Sequence, residues 1–204
     1  LKLGMVGGGQ GAFIGAVHRI AARIDDEFEL VAGALSSNPD NARKSAAQLG
    51  ISPERAYADF SEMAKAEAAR EDGIDAVSIV TPNHMHFPVA KAFLEQSINV
   101  ICDKPLTSSL DEAEQLQDIA ANSEAEFVLT HNYSGYPMVR EARHLVQSGA
   151  LGALRRINVE YVQDWLSIPI NDPDNKQATW RADPKRAGKG GAIADIGTHA
   201  LQLA

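Results

Sequence analysis

The sequence predicts an α/β fold in which a doubly wound parallel sheet is followed by a second, incomplete domain. Over the first 130 residues, apolar β-rich runs alternate with segments of helical period, which is the pattern of a parallel sheet covered by helices on both faces. A glycine-rich turn joins the first strand to the first helix, and the alternation stops near residue 130. We therefore expect one domain over 1–130 and the start of another over 131–204.

Five runs in the first domain have the composition of strands. They are apolar because a parallel sheet buries its strands on both faces. The runs are 1–6, 29–35, 74–80, 98–102 and 125–130. Together with the helices between them, they predict a repeat of about six strands.

The intervening helices are recognised by their ends. Pro39 lies just inside one helix and Gly50 just beyond it, which are the preferred positions of these residues. Asp59 can cap the next helix, and Ser109 with Glu112 has the spacing of a capping box. The predicted helices are 18–26, 38–49, 59–70 and 109–122.

The pattern changes beyond residue 130. A helix is predicted over 139–146, ending at Gly149, and 154–163 alternates like a half-buried strand. A segment rich in Pro, Asp and Asn, 168–175, is predicted to be a loop. The chain begins without Met and stops within an apolar run, so we expect it to be a fragment of a longer protein.

Composition narrows the classes of function. The net charge of −8 and the pI near 5.2 provide no basic field for nucleic acid. No apolar run approaches the roughly 18 residues of a membrane span, and the single Cys102 cannot form an internal disulfide. We expect a cytoplasmic protein that binds neither nucleic acid nor membrane, with Cys102 buried as a small apolar side chain.

The glycine-rich turn predicts a dinucleotide site. Gly7-Gly8-Gly9-Gln10-Gly11 follows a strand and leads into a helix, which is the context of the Rossmann fingerprint. Glycines permit the tight turn and let a pyrophosphate approach backbone N–H groups at the helix N-terminus. The residues expected to contact the cofactor here are Gly7, Gly9, Gln10, Phe13 and Ile14.

The end of the second strand bears on the choice between NAD and NADP. A carboxylate normally binds the adenine ribose of NAD at this place, but here Ser36 and Ser37 occupy it. Two hydroxyls, with Arg43 one or two turns along, favour the 2′-phosphate of NADP slightly. Asp40 counts against that preference.

Three further segments carry a family resemblance. Two of them follow predicted strands of the sheet, and the third lies in the second domain. They are Thr81-Pro82-Asn83-His84-Met85-His86, Asp103-Lys104-Pro105 and the stretch 190–199 that contains Asp195, Gly197 and His199. With the glycine turn they make the whole chain resemble the bacterial Gfo/Idh/MocA group, the glucose–fructose oxidoreductase and inositol dehydrogenase family. By this resemblance Thr81, Pro82, Asn83, His86, Asp103 and Lys104 contact a nicotinamide cofactor.

The resemblance also implies the rest of the architecture. Family members have a second domain with an open, mostly antiparallel sheet, which would be incomplete here, and they commonly form homo-oligomers. Their substrates are mainly sugars, inositols and related polyols. The family's Glu-Lys-Pro motif falls on 103–105, with Asp103 in place of Glu, and its Asp-x-Gly-x-His signature falls on Asp195, Gly197 and His199.

The chemistry of hydride transfer explains these residue types. A hydroxyl proton must move when an alcohol carbon gives up hydride, and an imidazole such as His199 is suited to take it. The Lys104 ammonium would stabilise the developing alkoxide. Asp195, four residues before His199 on one helix face, would orient the imidazole or bind a substrate hydroxyl. Tyr133 and Arg181 are the further substrate contacts expected, after Lys104, Asp195 and His199.

Two alternatives remain open at this stage. One is elimination or glycoside cleavage by transient oxidation, and the other is a cofactor-sensing binding protein without chemistry. A sensor has no need of Lys104, Asp195 and His199 together. The sequence contains no Cys cluster and no His-x-x-x-His pair, so we expect no metal site.

Overall fold

The computed structural model describes residues 1–163 and 183–204, with the side chains of 184 and 186 left aside. The chain divides into two compact units, Leu1–Leu129 and Thr130–Ala204. Within the described residues, no helix is both long and apolar enough to cross a membrane.

The first unit is built on a five-stranded parallel sheet. Its strands are β1 (Lys2–Gly7), β2 (Glu29–Ala34), β3 (Ala76–Val80), β4 (Asn99–Cys102) and β5 (Phe127–Leu129). The strand order is β2-β1-β3-β4-β5, with every pair parallel. The chain reverses its winding direction between β1 and β3, and at such a switch point a crevice forms beyond the carboxyl ends of the strands. The five predicted runs and the Rossmann-type α/β fold are confirmed.

The expectation of about six strands is wrong for this unit. The segment beyond β2 makes only one parallel bridge, between Gly33 and Ala56, and the Tyr57 N–H donates to the Gly33 carbonyl at 2.9 Å. A short 3-10 turn, Pro53–Arg55, precedes that bridge. The chain therefore touches the sheet edge once and leaves it for the next helix.

Five helices cover the sheet. Asn38 caps the second through its side chain, which accepts from the N–H groups of the first turn, and Asp59 caps the third in the same way, as predicted. The helices are α1 (Phe13–Ile24), α2 (Pro39–Gln48), α3 (Phe60–Ala68), α4 (His86–Leu94) and α5 (Leu110–Ala121).

The capping box of α5 forms with a different partner from the one predicted. The Glu112 N–H donates to Ser109 Oγ at 3.3 Å, as expected. The Glu112 carboxylate, however, accepts from the N–H and the hydroxyl of Ser108, at 3.2 and 2.9 Å. The return bond is thus made one residue earlier, where a second donor is present.

The main core lies between β3, β4 and helices α3 to α5. All five β3 residues are buried, and Phe93 of α4 and Cys102 of β4 are fully enclosed. Burial raises the pKa of the Cys102 thiol far above its usual range, which keeps it protonated. The prediction that Cys102 is a buried apolar side chain is confirmed.

A buried ion pair ties α3 to the segment after α2. Arg55 donates from Nε to a Glu67 carboxylate oxygen at 3.1 Å and from Nη2 to the other, and both residues are buried. The Tyr57 hydroxyl donates to the same carboxylate at 2.8 Å. Burial, followed by this bond to Glu67, raises the pKa of Tyr57 to about 12. No local sequence pattern predicted this cluster.

In its described parts the second unit contains helices and turns, with no regular element over 154–163. It contains a 3-10 turn (Asn132–Gly135), α6 (Pro137–Gln147), α7 (Pro184–Ala187), a π turn (Ile193–Gly197) and α8 (Thr198–Leu203). The predicted helix 139–146 is confirmed and continues to Gln147, with Gly149 at a φ of 75° beyond it.

The predicted strand 154–163 is not observed. A strand exists through ladder bonds to a neighbouring strand, and the described residues of the second unit pair none with this segment. The antiparallel sheet expected for this domain is therefore absent from the residues that the structure describes. The predicted loop 168–175 lies outside them.

Candidate functional site

The glycine turn owes its shape to close backbone contact with α1. Gly7 and Gly8 have φ angles of 82° and 73°, in the left-handed region that other residues avoid. A β-carbon on Gly15 would lie only 2.4 Å from the Gly8 Cα atom. Gly15 therefore fills the role of the third fingerprint glycine, which permits close helix–strand packing. The turn is longer than the simple Gly-x-Gly-x-x-Gly pattern.

The middle of the turn is anchored to β2 and α2. The Gly9 N–H donates to the Leu35 carbonyl at 3.0 Å, and the Gln10 N–H donates to Ser45 Oγ at 2.9 Å. A β-carbon on Gly9 would meet both acceptors, at 2.7 and 2.8 Å. Gly9 and Gln10 thus hold the turn in place through their backbones. Sequence reasoning missed Ser45, since its partner lies 35 residues away.

The Arg19 guanidinium stabilises the glycine turn through a hydrogen bond. Arg19 lies one helical turn after Gly15 and donates from Nη1 to the Gly8 carbonyl at 2.8 Å. Burial lowers the pKa of Arg19, although an arginine stays charged throughout the physiological range. The spacing of four from Gly15 was the available sequence signal for this residue.

The N-terminus of α1 suits a phosphate. Its N-cap, Ala12, makes no side-chain cap bond, so the first-turn N–H groups at Phe13 and Ile14 lack the usual side-chain acceptor. Phe13 is exposed, whereas Ile14 packs against the apolar cluster around Leu35. Together with the positive end of the helix dipole and the glycine backbone, these features fit a pyrophosphate.

In Rossmann folds the end of the second strand lies beside the adenine ribose of the dinucleotide, and in this chain Ser36 and Ser37 follow β2. Ser36 is partly buried, and its hydroxyl accepts from the Asn38 N–H at 3.1 Å and from Asn41 Nδ2 at 3.2 Å. Ser37 is exposed. Arg43 forms an exposed ion pair with Asp40 one turn away. This pair reduces the positive charge that Arg43 would offer to a 2′-phosphate.

The loop after β3 is held by His86. The imidazole is 1% exposed, and its two nitrogens face the carbonyls of Pro105 and Thr81, at 2.7 and 3.1 Å. Burial lowers the pKa of His86, against the opposing effect of these two bonds. His86 therefore lies beneath the surface of the site and joins the chain after β3 to the chain after β4. Pro82 and the buried Asn83 belong to the same loop.

The segment after β4 holds Asp103 and Lys104. The Asp103 N–H donates to the Ile79 carbonyl at 3.0 Å, and its carboxylate accepts from the Lys104 N–H at 3.0 Å. His18 of α1 reaches the same place, with Nε2 3.9 Å from Asp103 Oδ1 and Nδ1 2.9 Å from Ser78 Oγ. His18 thus links α1 to β3 and to the segment that contains Lys104. The sequence did not indicate this role for His18.

In the second unit, His199 is buried among aromatic rings. Its imidazole is 6% exposed, and its centroid lies 4.7 Å from that of Tyr133 and 6.1 Å from that of Tyr161. The Tyr133 and Tyr161 hydroxyls are hydrogen-bonded to each other. That bond, followed by burial, raises the pKa of Tyr133 to about 12. The predicted residues Tyr133 and His199 are thus neighbours.

Asp195 lies in the π turn, and His199 follows in the first turn of α8. The sequence predicts an ordinary helix here, with the two residues on one face. The wider π geometry makes a spacing of four slightly less than one turn, and such turns are frequent at functional sites. The predicted Arg181 lies outside the described residues.

Comparisons with known proteins cover the whole of both units. The Gfo/Idh/MocA oxidoreductase family, with its NAD-binding Rossmann fold, matches residues 1–133, and the C-terminal domain of the same family matches 139–204. An oxidoreductase from Sinorhizobium meliloti is 54% identical, with a TM-score of 0.86, over 100% of this chain and 51% of its own.

Two further relatives have more specific names. An inositol dehydrogenase homologue from Azotobacter vinelandii, complexed with NADH and myo-inositol, is 37% identical with a TM-score of 0.90, over 100% of this chain and 51% of its own. Levoglucosan dehydrogenase of Pseudarthrobacter phenanthrenivorans is 30% identical over 100% of this chain and 50% of its own length. The chain spans about half the length of these relatives. It belongs to the Gfo/Idh/MocA family of oxidoreductases.

Proposed function

We propose that this chain is the cofactor-binding part, and the start of the catalytic part, of an NAD(P)-dependent dehydrogenase. The substrate is a sugar, an inositol or a related polyol that is oxidised or reduced at a CH–OH carbon. The observation that carries the proposal is the turn between β1 and α1, where the contact between Gly8 and Gly15 brings an uncapped helix N-terminus to the crevice of the sheet. The names of the relatives support the polyol class of substrate.

The proposal assigns proton transfer to this chain's own residues. A bound nicotinamide supplies the hydride acceptor or donor. In the oxidative direction His199 takes the hydroxyl proton as the carbon loses hydride, and the Lys104 ammonium stabilises the alkoxide charge. Asp195 orients the imidazole or binds a substrate hydroxyl. The polyol is contacted by Tyr133 and Arg181. The Tyr133 hydroxyl is also hydrogen-bonded to the hydroxyl of Tyr161.

The two serines after β2 and the Arg43–Asp40 pair bear on cofactor choice in opposite senses. The absence of a carboxylate at Ser36 and Ser37 favours NADP, while Asp40 neutralises the nearest cation. The proposal therefore covers both dinucleotides.

Residues 131–204 are proposed to begin the catalytic sheet domain of the family. The full-length protein is proposed to associate into homo-oligomers.

The test is a dehydrogenase screen of the full-length protein with NAD and NADP in parallel. The panel contains myo-inositol, levoglucosan and simple aldoses, and the product of each active pair is identified by mass spectrometry. We expect a keto product or lactone that is formed in equal amount with reduced cofactor. A product formed without net cofactor reduction would show elimination or transient oxidation instead, and cofactor binding without turnover of any polyol would show a sensor.

A further inference from the structure

The environment of His199 contains two rings, those of His131 and Tyr161, that the predicted site did not include. Among the described residues, the rings of His131, Tyr133 and Tyr161 contact the His199 imidazole. His131 and Tyr133 meet it edge-on, at interplanar angles of 90° and 76°. Tyr161 alone of these three lies nearly parallel to it, at 14° with the centroids 6.1 Å apart. This is an offset-stacked arrangement, one of the two that aromatic pairs prefer.

The stacked ring is itself held in place. The Tyr161 hydroxyl is hydrogen-bonded to the hydroxyl of Tyr133, and the two tyrosine rings meet at 64° with their centroids 5.5 Å apart. Tyr133 is fixed in turn by the 3-10 turn Asn132–Gly135 and by the edge of Tyr136 at 5.5 Å. Two tyrosines therefore enclose the imidazole from two directions and are tied to each other at their tips.

We propose that Tyr161 is a positioning residue for His199, fixing the plane of the imidazole through its ring face and the bond to Tyr133. This inference rests on the proposed function, because it assigns a role around the proposed base. A ring face carries partial negative charge, so it also favours the imidazolium that forms when His199 takes a proton. The ring is expected to act through His199 and not by touching the substrate.

Several other groups lie near His199 and enter the design of the test. His131 and Tyr133 face it from the start of the second unit, Tyr161 faces it from the segment after α6, and Asp195 precedes it in the π turn. A variant must therefore change one ring and leave these groups as they are. Tyr161→Leu removes the ring face, whereas Tyr161→Phe keeps the face and removes only the hydroxyl.

Tyr136→Leu is the matched control for loss of a ring. Tyr136 belongs to the same aromatic group and meets Tyr133, but no ring contact joins it to His199 among the described residues. It is half exposed, so its replacement perturbs packing less than a buried substitution would. Any general loosening of the aromatic group would appear in this variant as well.

The first measurement is an NMR titration of the His199 ring in the full-length protein labelled at histidine, with the signal assigned from a His199→Gln variant. We expect Tyr161→Leu to lower the midpoint by about half a pH unit, because the imidazolium loses a neighbouring ring whose face carries partial negative charge. Tyr161→Phe and Tyr136→Leu should keep the wild-type midpoint. An unchanged midpoint in Tyr161→Leu would overturn the proposal, and this result needs no enzyme activity.

The second measurement separates positioning from substrate contact. With a polyol that the wild-type protein oxidises, we expect Tyr161→Leu to reduce kcat about tenfold while the KM for polyol and cofactor stays near wild type. Tyr161→Phe should recover most of that loss. A higher KM for the polyol at unchanged kcat would show that Tyr161 binds substrate, which overturns the proposal. Turnover of no polyol by the wild-type protein would instead contradict the proposed function, and the NMR result would still decide the role of Tyr161.

Discussion

Gly8 and Gly15 approach so closely that a β-carbon on Gly15 would lie 2.4 Å from the Gly8 Cα atom. Gly8 and Gly15 both lie in main chain that other contacts keep in place. One of these is the hydrogen bond that Arg19 donates to the Gly8 carbonyl. The clash therefore has no flexible side chain to absorb it. The helix must move away from the turn, or the turn must change shape.

Gly15→Ala is accordingly expected to weaken cofactor binding by about tenfold or more, because the backbone N–H groups leave the positions that suit a pyrophosphate. Alanine is the better helix former, so any loss must come from the clash and not from helix propensity. Isothermal titration with NADH measures the effect. Gly135→Ala is the control, since a β-carbon there has no neighbour within 4 Å. Equal affinity in Gly15→Ala and wild type would show that this contact does not shape the site.

Lys104→Ala and His199→Ala are each expected to reduce turnover by about 10² or more, as for the loss of a group that moves or stabilises a proton. Cofactor affinity should change much less for His199→Ala. The matched controls are His144→Ala and Lys91→Ala, which alter exposed side chains of the same types. Steady-state kinetics and cofactor titration give both quantities. Turnover near wild type in both variants would remove them from the proposed mechanism.

Cofactor selectivity should respond to charge beside Arg43. Ser36→Asp places a carboxylate at the proposed adenine ribose site, so the ratio of NADP to NAD affinity should fall by about tenfold or more. Asp40→Asn removes the charge that neutralises Arg43, and it should raise the same ratio by a smaller factor because the ion pair is exposed. Parallel titrations with the two cofactors test both changes. A ratio that moves in the same direction in both variants would place the 2′ position elsewhere.

The buried pair of Arg55 and Glu67 predicts a large stability effect away from the site. Glu67→Gln leaves the guanidinium without its buried counter-charge, which should lower the free energy of unfolding by about 3–5 kcal/mol. Asp72→Asn is the control, because Asp72 is exposed and lies 3.7 Å from Arg55. Its effect should be a small fraction of the first. Urea denaturation of both variants provides the comparison, and equal losses would contradict a dominant role for the buried bond.

Tyr57 predicts a pH dependence at the alkaline end. Its pKa is raised to about 12 in the folded protein, against about 10 for an unfolded chain. The folded state therefore holds the proton more tightly, so the contribution is complete below about pH 10 and is lost as the pH rises through about 12. The stability difference between wild type and Tyr57→Phe should shrink across that interval. A difference that is constant with pH would show that Tyr57 titrates normally.

Local pattern predicted much of the fold, for a physical reason. Buried strands, capped helices and the glycine turn depend on residues only a few positions apart, so the capping residues Asn38 and Asp59 and the five strand runs are readable from the chain. The predicted number of strands was wrong, since the sheet has five strands and the segment at Ala56 makes one bridge only.

Predictions for the site divide in the same way between residues close together in the sequence and residues far apart in it. The family motifs led to the predictions of Lys104, Asp195 and His199, and the turn led to those of Gly7 and Gly9, since motif residues lie close together in the sequence. The partners of these residues were not identified, because they come from distant parts of the chain. The His18–Ser78 bond spans 60 residues, and the bond between Tyr133 and Tyr161 spans 28.

The sequence by itself determined the α/β class, the place of the dinucleotide turn and the family. Tertiary structure decided which groups contact the residues of these motifs. Gly15 and Arg19 contact the turn, His86 contacts the segment that contains Lys104, and Tyr161 stacks on His199. Strand order and helix packing set these pairings, and they bring together residues that no local periodicity relates. Residues that belong to compact motifs are therefore visible in the sequence, while the residues that contact them from distant parts of the chain become visible only in the fold.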